Sequence, residues 1–183
     1  TTEIYTLSLH DALPISRTEA KGEPLARVSL NSIVDSATML CGSLIENTTD
    51  RFTVGKEALD PVVMGSAQRL EQVVINLVQN ACAATIERSR PITITTRISS
   101  GNTHGIIEVK DHGTGIEKAD LDRIALPFFT TKRDKGGTGL GLSVSQKSVE
   151  QHGGTMAFES TQGSGTTVTV SIPLASPDTQ GGS

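Results

Sequence analysis

The sequence predicts an α+β two-layer sandwich, a mixed and mainly antiparallel sheet with helices on one face. Three observations predict it. First, Leu30–Ile45 and Ala67–Glu87 carry apolar residues at helical spacing, so each has one stripe to bury. Second, Ile92–Ile98, Ile106–Asp111, Thr155–Ser160 and Thr166–Pro173 read as strands, half-buried where apolar and polar residues alternate. Third, those strands cluster around short turns at Ser99–His104 and Gly163–Gly165, which favours antiparallel hairpins. Helices alternating with clustered hairpins segregate into two layers.

The elements follow in order. Tyr5–Ile15 reads as the conceptual translation of a common sequencing-library adapter, so residues 1–16 are set aside from fold reasoning and expected to be disordered. Residues 17–27 are polar, contain Gly22 and Pro24, and read as linker; the domain is expected over residues 28–174. Leu30, Ile33, Val34, Ala37, Leu40, Cys41, Leu44 and Ile45 share a helix face, with Ser29 or Asn31 as cap. Arg51–Val54 and Pro61–Met64 are short strand candidates. Ser66 caps the next helix, whose stripe is Leu70, Val73, Val74, Leu77, Val78, Ala81 and Ala84. Gln72, Asn76 and Asn80 form a polar line along that stripe, with Asn80 nearest its buried edge. Glu117–Ile124 is a short helix candidate. Pro127–Gly139 is polar and glycine-bearing, and is expected to be a mobile lid. Leu142–His152 is helical and ends at Gly153-Gly154. Residues 175–183 are expected to be a disordered tail.

Composition narrows the function classes. A chain of 183 residues, 36% hydrophobic, suits one domain with a core. Its net charge of −4 disfavours a nucleic-acid partner. Cys41 and Cys82 lack metal-ligand spacing and read as reduced core thiols. No apolar run approaches the ~20 residues of a membrane helix, and no signal peptide is evident, so a cytoplasmic fragment without membrane contact is expected.

Two glycine-punctuated turns carry the chemistry. Asp111-His112-Gly113-Thr114-Gly115-Ile116 follows a strand on which Ile107, Val109 and Asp111 share one face. A carboxylate at the edge of a core is costly unless it binds a donor. Gly113 and Gly115 permit positive φ and close approach of a ligand. Gly137-Thr138-Gly139-Leu140-Gly141-Leu142 opens a helix, where free N–H groups favour phosphate. A donor-binding site beside a phosphate site suggests a nucleotide.

These motifs resemble sensor histidine kinases of two-component signal transduction. Asn76-Leu77-Val78-Gln79-Asn80-Ala81 resembles their N box, and Asp111–Ile116 their first glycine box. Pro127-Phe128-Phe129-Thr130-Thr131-Lys132 resembles the F box, Gly137–Leu142 the second glycine box, and Gly163-Ser164-Gly165-Thr166 the last glycine turn. The resemblance runs from about Val28 to Leu174 in the family's order. It implies the ATP-binding sandwich, or Bergerat fold, shared with gyrase-type and chaperone-type ATPases. It also implies ATP and Mg²⁺ as cofactors. Asp111 would accept from the adenine amino group, with Thr166 nearby acting through water. Asn80 would bind Mg²⁺, and Asn76 would support it or touch phosphate. Gly113, Gly115 and Ile116 would line the base side. Gly137, Thr138, Gly139, Leu140, Gly141 and Leu142 would wrap the phosphates. Lys132 would reach the γ-phosphate or a partner domain, though it and Arg133 read equally as an ordinary charged loop. Phe128 and Phe129 would seat the lid or pack locally.

The chain departs from the family at His112, where Asn is commoner, and at Ala125 and Leu126, where a larger aromatic and an acidic residue are usual. His10-Asp11-Ala12-Leu13-Pro14 mimics the family's phosphoacceptor box, but its Pro follows the His by four residues instead of five and lies in the adapter-like segment. The acceptor is therefore expected on a separate dimerisation and phosphoacceptor domain of a longer, homodimeric protein, with a response regulator downstream. Membrane anchoring of that longer protein is left open. The main expectation is the ATP-binding catalytic domain of a histidine kinase, with Asn76 and Lys132 as its catalytic candidates. The first alternative is a gyrase- or chaperone-type ATPase, which places a Glu four residues before the metal-binding Asn. That position is Asn76, an amide that cannot act as a general base. The second is a nucleotide-gated binding module without catalysis.

Overall fold

The structure, a computed structural model, describes residues 25–121, 123–124 and 139–176. The adapter-like segment, most of the linker, residues 127–138 of the expected lid and the last seven residues of the tail lie outside them.

The expected sandwich is observed. Strand β1 (Ala26–Ser29) runs directly into helix α1 (Leu30–Leu40), and helix α2 (Gly42–Thr48) follows after Cys41. Strands β2 (Phe52–Lys56) and β3 (Val62–Gly65) precede the long helix α3 (Ala67–Ala84). The hairpin β4 (Ile92–Ile98) and β5 (His104–Asp111) comes next, then the short α4 (Lys118–Leu121). Helix α5 (Gly141–Gln151) and the hairpin β6 (Thr155–Thr161) and β7 (Gly165–Pro173) complete it.

The main sheet has five strands in the order β2-β4-β5-β7-β6. Among the described residues only β2 and β4 pair in parallel, Phe52 opposite Ile92. A parallel pair needs a crossover, and α3 lies in the connection between those two strands. The rest is antiparallel, with Ile94 opposite Val109 and Ile107 opposite Val170. A separate two-stranded ribbon pairs β1 with β3. Helix α3 packs between α1 and α5 and against β5. The core between the layers is built from Leu30, Val34, Leu70, Val74, Leu77, Ile94, Ile107 and Ile172, among others, each at most 1 to 2% exposed.

Both expected helix caps form. The Ser29 hydroxyl accepts from the Ser32 N–H at 3.0 Å, and the Ser66 hydroxyl from the Arg69 N–H at 3.3 Å. Four local readings change. The first helical stretch is interrupted at Cys41, and Leu40 and Leu44 turn outward instead of joining the buried stripe. Helix α3 stops at Ala84, where the Thr85 N–H and hydroxyl both return to the Ala81 carbonyl. Ala26 and Arg27 belong to a strand, not a linker, because they pair with Gly65 and Met64. The beginning of the tail is also tied down: the Ala175 N–H donates to the Val62 carbonyl, and the Arg27 guanidinium to the Ser176 carbonyl.

Candidate functional site

Asp111 ends β5 on the core face, and it is buried, with 6% exposure. Its Oδ1 accepts from the Gly113 N–H at 2.8 Å, which closes a tight turn. The register pairs Lys110 with Thr167, so one step further places Asp111 opposite Thr166 across the β5–β7 ladder. Directly opposed residues in an antiparallel pair present their side chains on the same face. Two buried acceptor-bearing side chains, Asp111 and Thr166, are thus neighbours.

The glycines around Asp111 serve the chain itself. A Cβ at Gly113 would lie 2.2 Å from the Ala84 carbonyl oxygen, at the end of α3. At Gly115, where φ is +63°, it would lie 2.1 Å from the Thr161 carbonyl oxygen. From sequence these two glycines were expected to admit a ligand; the structure shows that they admit neighbouring backbone. The Thr114 N–H donates to the Ala84 carbonyl and the Gly163 N–H to the Thr114 carbonyl, so the turn is stitched on both sides. Gly165, at φ +110°, allows the start of β7 to approach the Asp111 carbonyl.

Sequence reasoning passed over Ser160. Its hydroxyl accepts from the Ile116 N–H, donates to the Gly165 carbonyl and meets the Thr166 hydroxyl, each at 2.9 Å. Its position two residues before the turn carried no signal, because a strand Ser is ordinarily unremarked. His112 lies aside from this network, with Nδ1 3.2 Å from the Pro91 carbonyl oxygen. That contact gives the departure from the family pattern a structural role.

The polar line of α3 divides. Asn76 is half-buried against α5; its Nδ2 donates to the Ser145 hydroxyl at 3.0 Å and the Gly141 carbonyl at 3.3 Å. Its Oδ1 accepts from the Gln72 amide. Asn80 is exposed, contrary to the expectation that it lies nearest the buried edge. The reason is α5, which covers the Asn76 end of the line. Helix α5 begins at Gly141 with Leu140 as its N-cap and no side-chain cap, the geometry in which free N–H groups favour an anion. Gly139 there has φ +68°, while Leu142 packs partly against the core. Gly137, Thr138, Lys132 and both lid phenylalanines lie outside the described residues.

The far end of α5 is anchored by His152. Its Nδ1 lies 2.6 Å from the Ser148 carbonyl oxygen, and its Nε2 accepts from the Ser66 N–H at 3.0 Å. An imidazole that accepts at Nε2 carries its proton on Nδ1. His152 caps the end of α5, as its place before Gly153-Gly154 suggests, and it is also a buried clasp between the start of α3 and the end of α5. Cys41 and Cys82 are free and buried, and burial pushes both thiols up from 9.0. Among the described residues, no cluster of three His, Cys, Asp or Glu could hold a metal, and no helix is long and apolar enough to cross a membrane.

Comparison with known proteins agrees with the fold. The family model described as "Histidine kinase-, DNA gyrase B-, and HSP90-like ATPase" matches residues 65–176. A putative sensor protein of Shewanella frigidimarina is 42% identical over 153 residues, covering 82% of this chain and 22% of that protein. The sensor histidine kinase ZraS of Escherichia coli is 38% identical over 153 residues, covering 82% of this chain and 31% of that protein. The chain therefore spans less than a third of the length of these relatives. The catalytic domain of histidine kinase ThkA, in a nucleotide-free form, has a similar structure, with a TM-score of 0.72 at 31% identity over 83% of this chain and 99% of that one. ThkA in complex with the response regulator protein TrrA gives a TM-score of 0.68 at 31% identity, over 82% of this chain and 42% of that one.

Proposed function

Since the chain belongs to the histidine kinase-, DNA gyrase B- and HSP90-like ATPase family, we propose that it is the ATP-binding catalytic domain of a sensor histidine kinase. In this reading it presents the γ-phosphate of ATP to a histidine on a separate dimerisation and phosphoacceptor domain. The carrying observation is at Asn76. A water-activating Glu belongs at that position in the ATPases of the family, and here an amide is held by Ser145, Gly141 and Gln72. An amide has no basic lone pair with which to take a proton from water.

The residues divide the nucleotide between them. Asp111 accepts from the adenine amino group, with Thr166 beside it. Backbone amides from Gly139 to Leu142 and the uncapped start of α5 hold phosphate, joined by Gly137, Thr138 and Lys132. Asn76 acts by fixing α5 against α3, so that those amides stay aimed. Magnesium suits the donor set, because it keeps several waters and needs only one or two protein oxygens beside the phosphates. The exposed Asn80 amide supplies one such oxygen. When bound, Mg²⁺ neutralises charge on the transferring phosphoryl group. Transfer needs little further chemistry from the protein, since the incoming histidine is the nucleophile. A response regulator would receive the phosphoryl group downstream.

The test is phosphotransfer in trans. With Mg²⁺ and labelled ATP alone, the chain is expected to bind nucleotide without labelling itself or turning ATP over appreciably. Addition of a cognate dimerisation and phosphoacceptor domain should yield an acid-labile, base-stable phosphohistidine on that domain. Rapid ATP hydrolysis by the chain alone, abolished by Asn80→Ala, would favour the ATPase reading instead.

A further inference from the structure

Three contacts converge on the Ser160 hydroxyl, and a hydroxyl has one proton and two lone pairs. The Gly165 carbonyl can only accept, so the Ser160 proton goes there. The Ile116 N–H can only donate, so it takes one lone pair. The Thr166 hydroxyl is then the donor in its own contact with Ser160, because no other assignment satisfies all three.

We infer that Ser160 is a specificity-determining positioning residue, which fixes the direction of the Thr166 hydroxyl and leaves Thr166 acceptor-only beside Asp111. The inference rests on the nucleotide reading above. Thr166 is 8% exposed, so its proton has little competing water to turn towards. Its cross-strand neighbour Asp111 offers only carboxylate oxygens. The base edge of the site is consequently a pair of acceptors. A group entering it, or a water bridging to it, must bring hydrogens. A 6-amino purine brings two at position 6, and a bridging water can serve its N1; a 6-oxo purine places a carbonyl oxygen at position 6 and carries its one hydrogen of that edge on N1. Sites that leave buried polar groups unpaired with the wrong ligand discriminate strongly against it. Without Ser160, the Thr166 hydroxyl is free to rotate and donate to the 6-oxo oxygen.

The experiment measures binding of Mg-ATP and Mg-ITP by calorimetry, since inosine differs from adenosine only at this edge. The intact chain is compared with Ser160→Ala, Thr166→Val, the double variant and Ser160→Thr. The intact chain should prefer ATP. Each of the first two variants should narrow that preference by about three- to tenfold, the effect of one hydrogen bond. The double variant should narrow it no further than Thr166→Val, and Ser160→Thr should retain it. A merely structural Ser160 would weaken both nucleotides together and leave their ratio alone, which would overturn the inference. Should Ser160→Ala fail to fold, Thr166→Val decides: an unchanged ratio overturns the inference. Failure of the unaltered chain to bind ATP would instead bring down the nucleotide reading itself.

Discussion

In the proposed reading Asp111 and Asn80 would serve opposite ends of the nucleotide, and their surroundings differ. Asp111 is buried, with one oxygen held by the Gly113 N–H; Asn80 is exposed on α3. Replacing Asp111 with Asn turns an acceptor-only group into one that donates as well. Discrimination between ATP and GTP should fall in that variant, and unchanged discrimination would count against the adenine contact. Asn80→Ala should behave differently, weakening Mg-ATP binding by about tenfold or more while affecting metal-free ATP far less. Equal losses with and without Mg²⁺ would remove Asn80 as a metal ligand.

At the scale of elements, the pairing of α3 with α5 frames the phosphate end of the proposed site. Two clasps hold it. Asn76 bonds the first turn of α5, and His152 bonds the residue before α3 from the other end. The ribbon closes tightly around the second clasp, since a Cβ on Gly65 would lie 2.6 Å from the His152 ring. His152→Ala would remove the imidazole that accepts from the Ser66 N–H and open a void. The expected cost is about 1–3 kcal/mol of stability, visible as a lower urea midpoint with unchanged slope. A midpoint equal to that of the unaltered chain would mean that the clasp holds nothing.

The whole molecule excludes water from one continuous core, and the two thiols report on it. Burial raises the pKa of Cys41 and Cys82 above 9.0, with Asp111 a lesser contributor for Cys82. The folded chain therefore holds those protons more tightly than the unfolded chain. Their contribution to stability is complete below pH 9.0 and declines as pH rises through the higher folded values. Alkylation by iodoacetamide, which needs the thiolate, should be slow in the native protein at pH 8 and fast in denaturant. Fast native labelling at that pH would mean that the space around α1 and α3 opens.

Much of this was legible in the linear chain, because the relevant physics is periodic or local. Stripes such as Leu70–Val74–Leu77–Ala81 can be buried in only one way on a helix, and the alternation through Ile92, Ile94, Val109 and Val170 defines one face of a sheet. Ser29 and Ser66 cap helices within three residues of themselves. The order of the motifs, with Asn76 and Asn80 ahead of Asp111 and the glycine turns that follow it, carried the resemblance that the family match bears out. Contacts between distant residues were decided only in three dimensions. A helical projection puts Asn80 nearest the buried edge, but α5, arriving from 65 residues away, covers Asn76 and leaves Asn80 exposed. Gly113 and Gly115 invite a ligand on paper, but the end of α3 and the end of β6 take up that space. Ser160 and His152 each add to their local bonds one that sequence gives no sign of, to Ile116 and Ser66, 44 and 86 residues away. Periodicity records which face a residue occupies; which neighbour meets that face depends on how the helices and sheet pack.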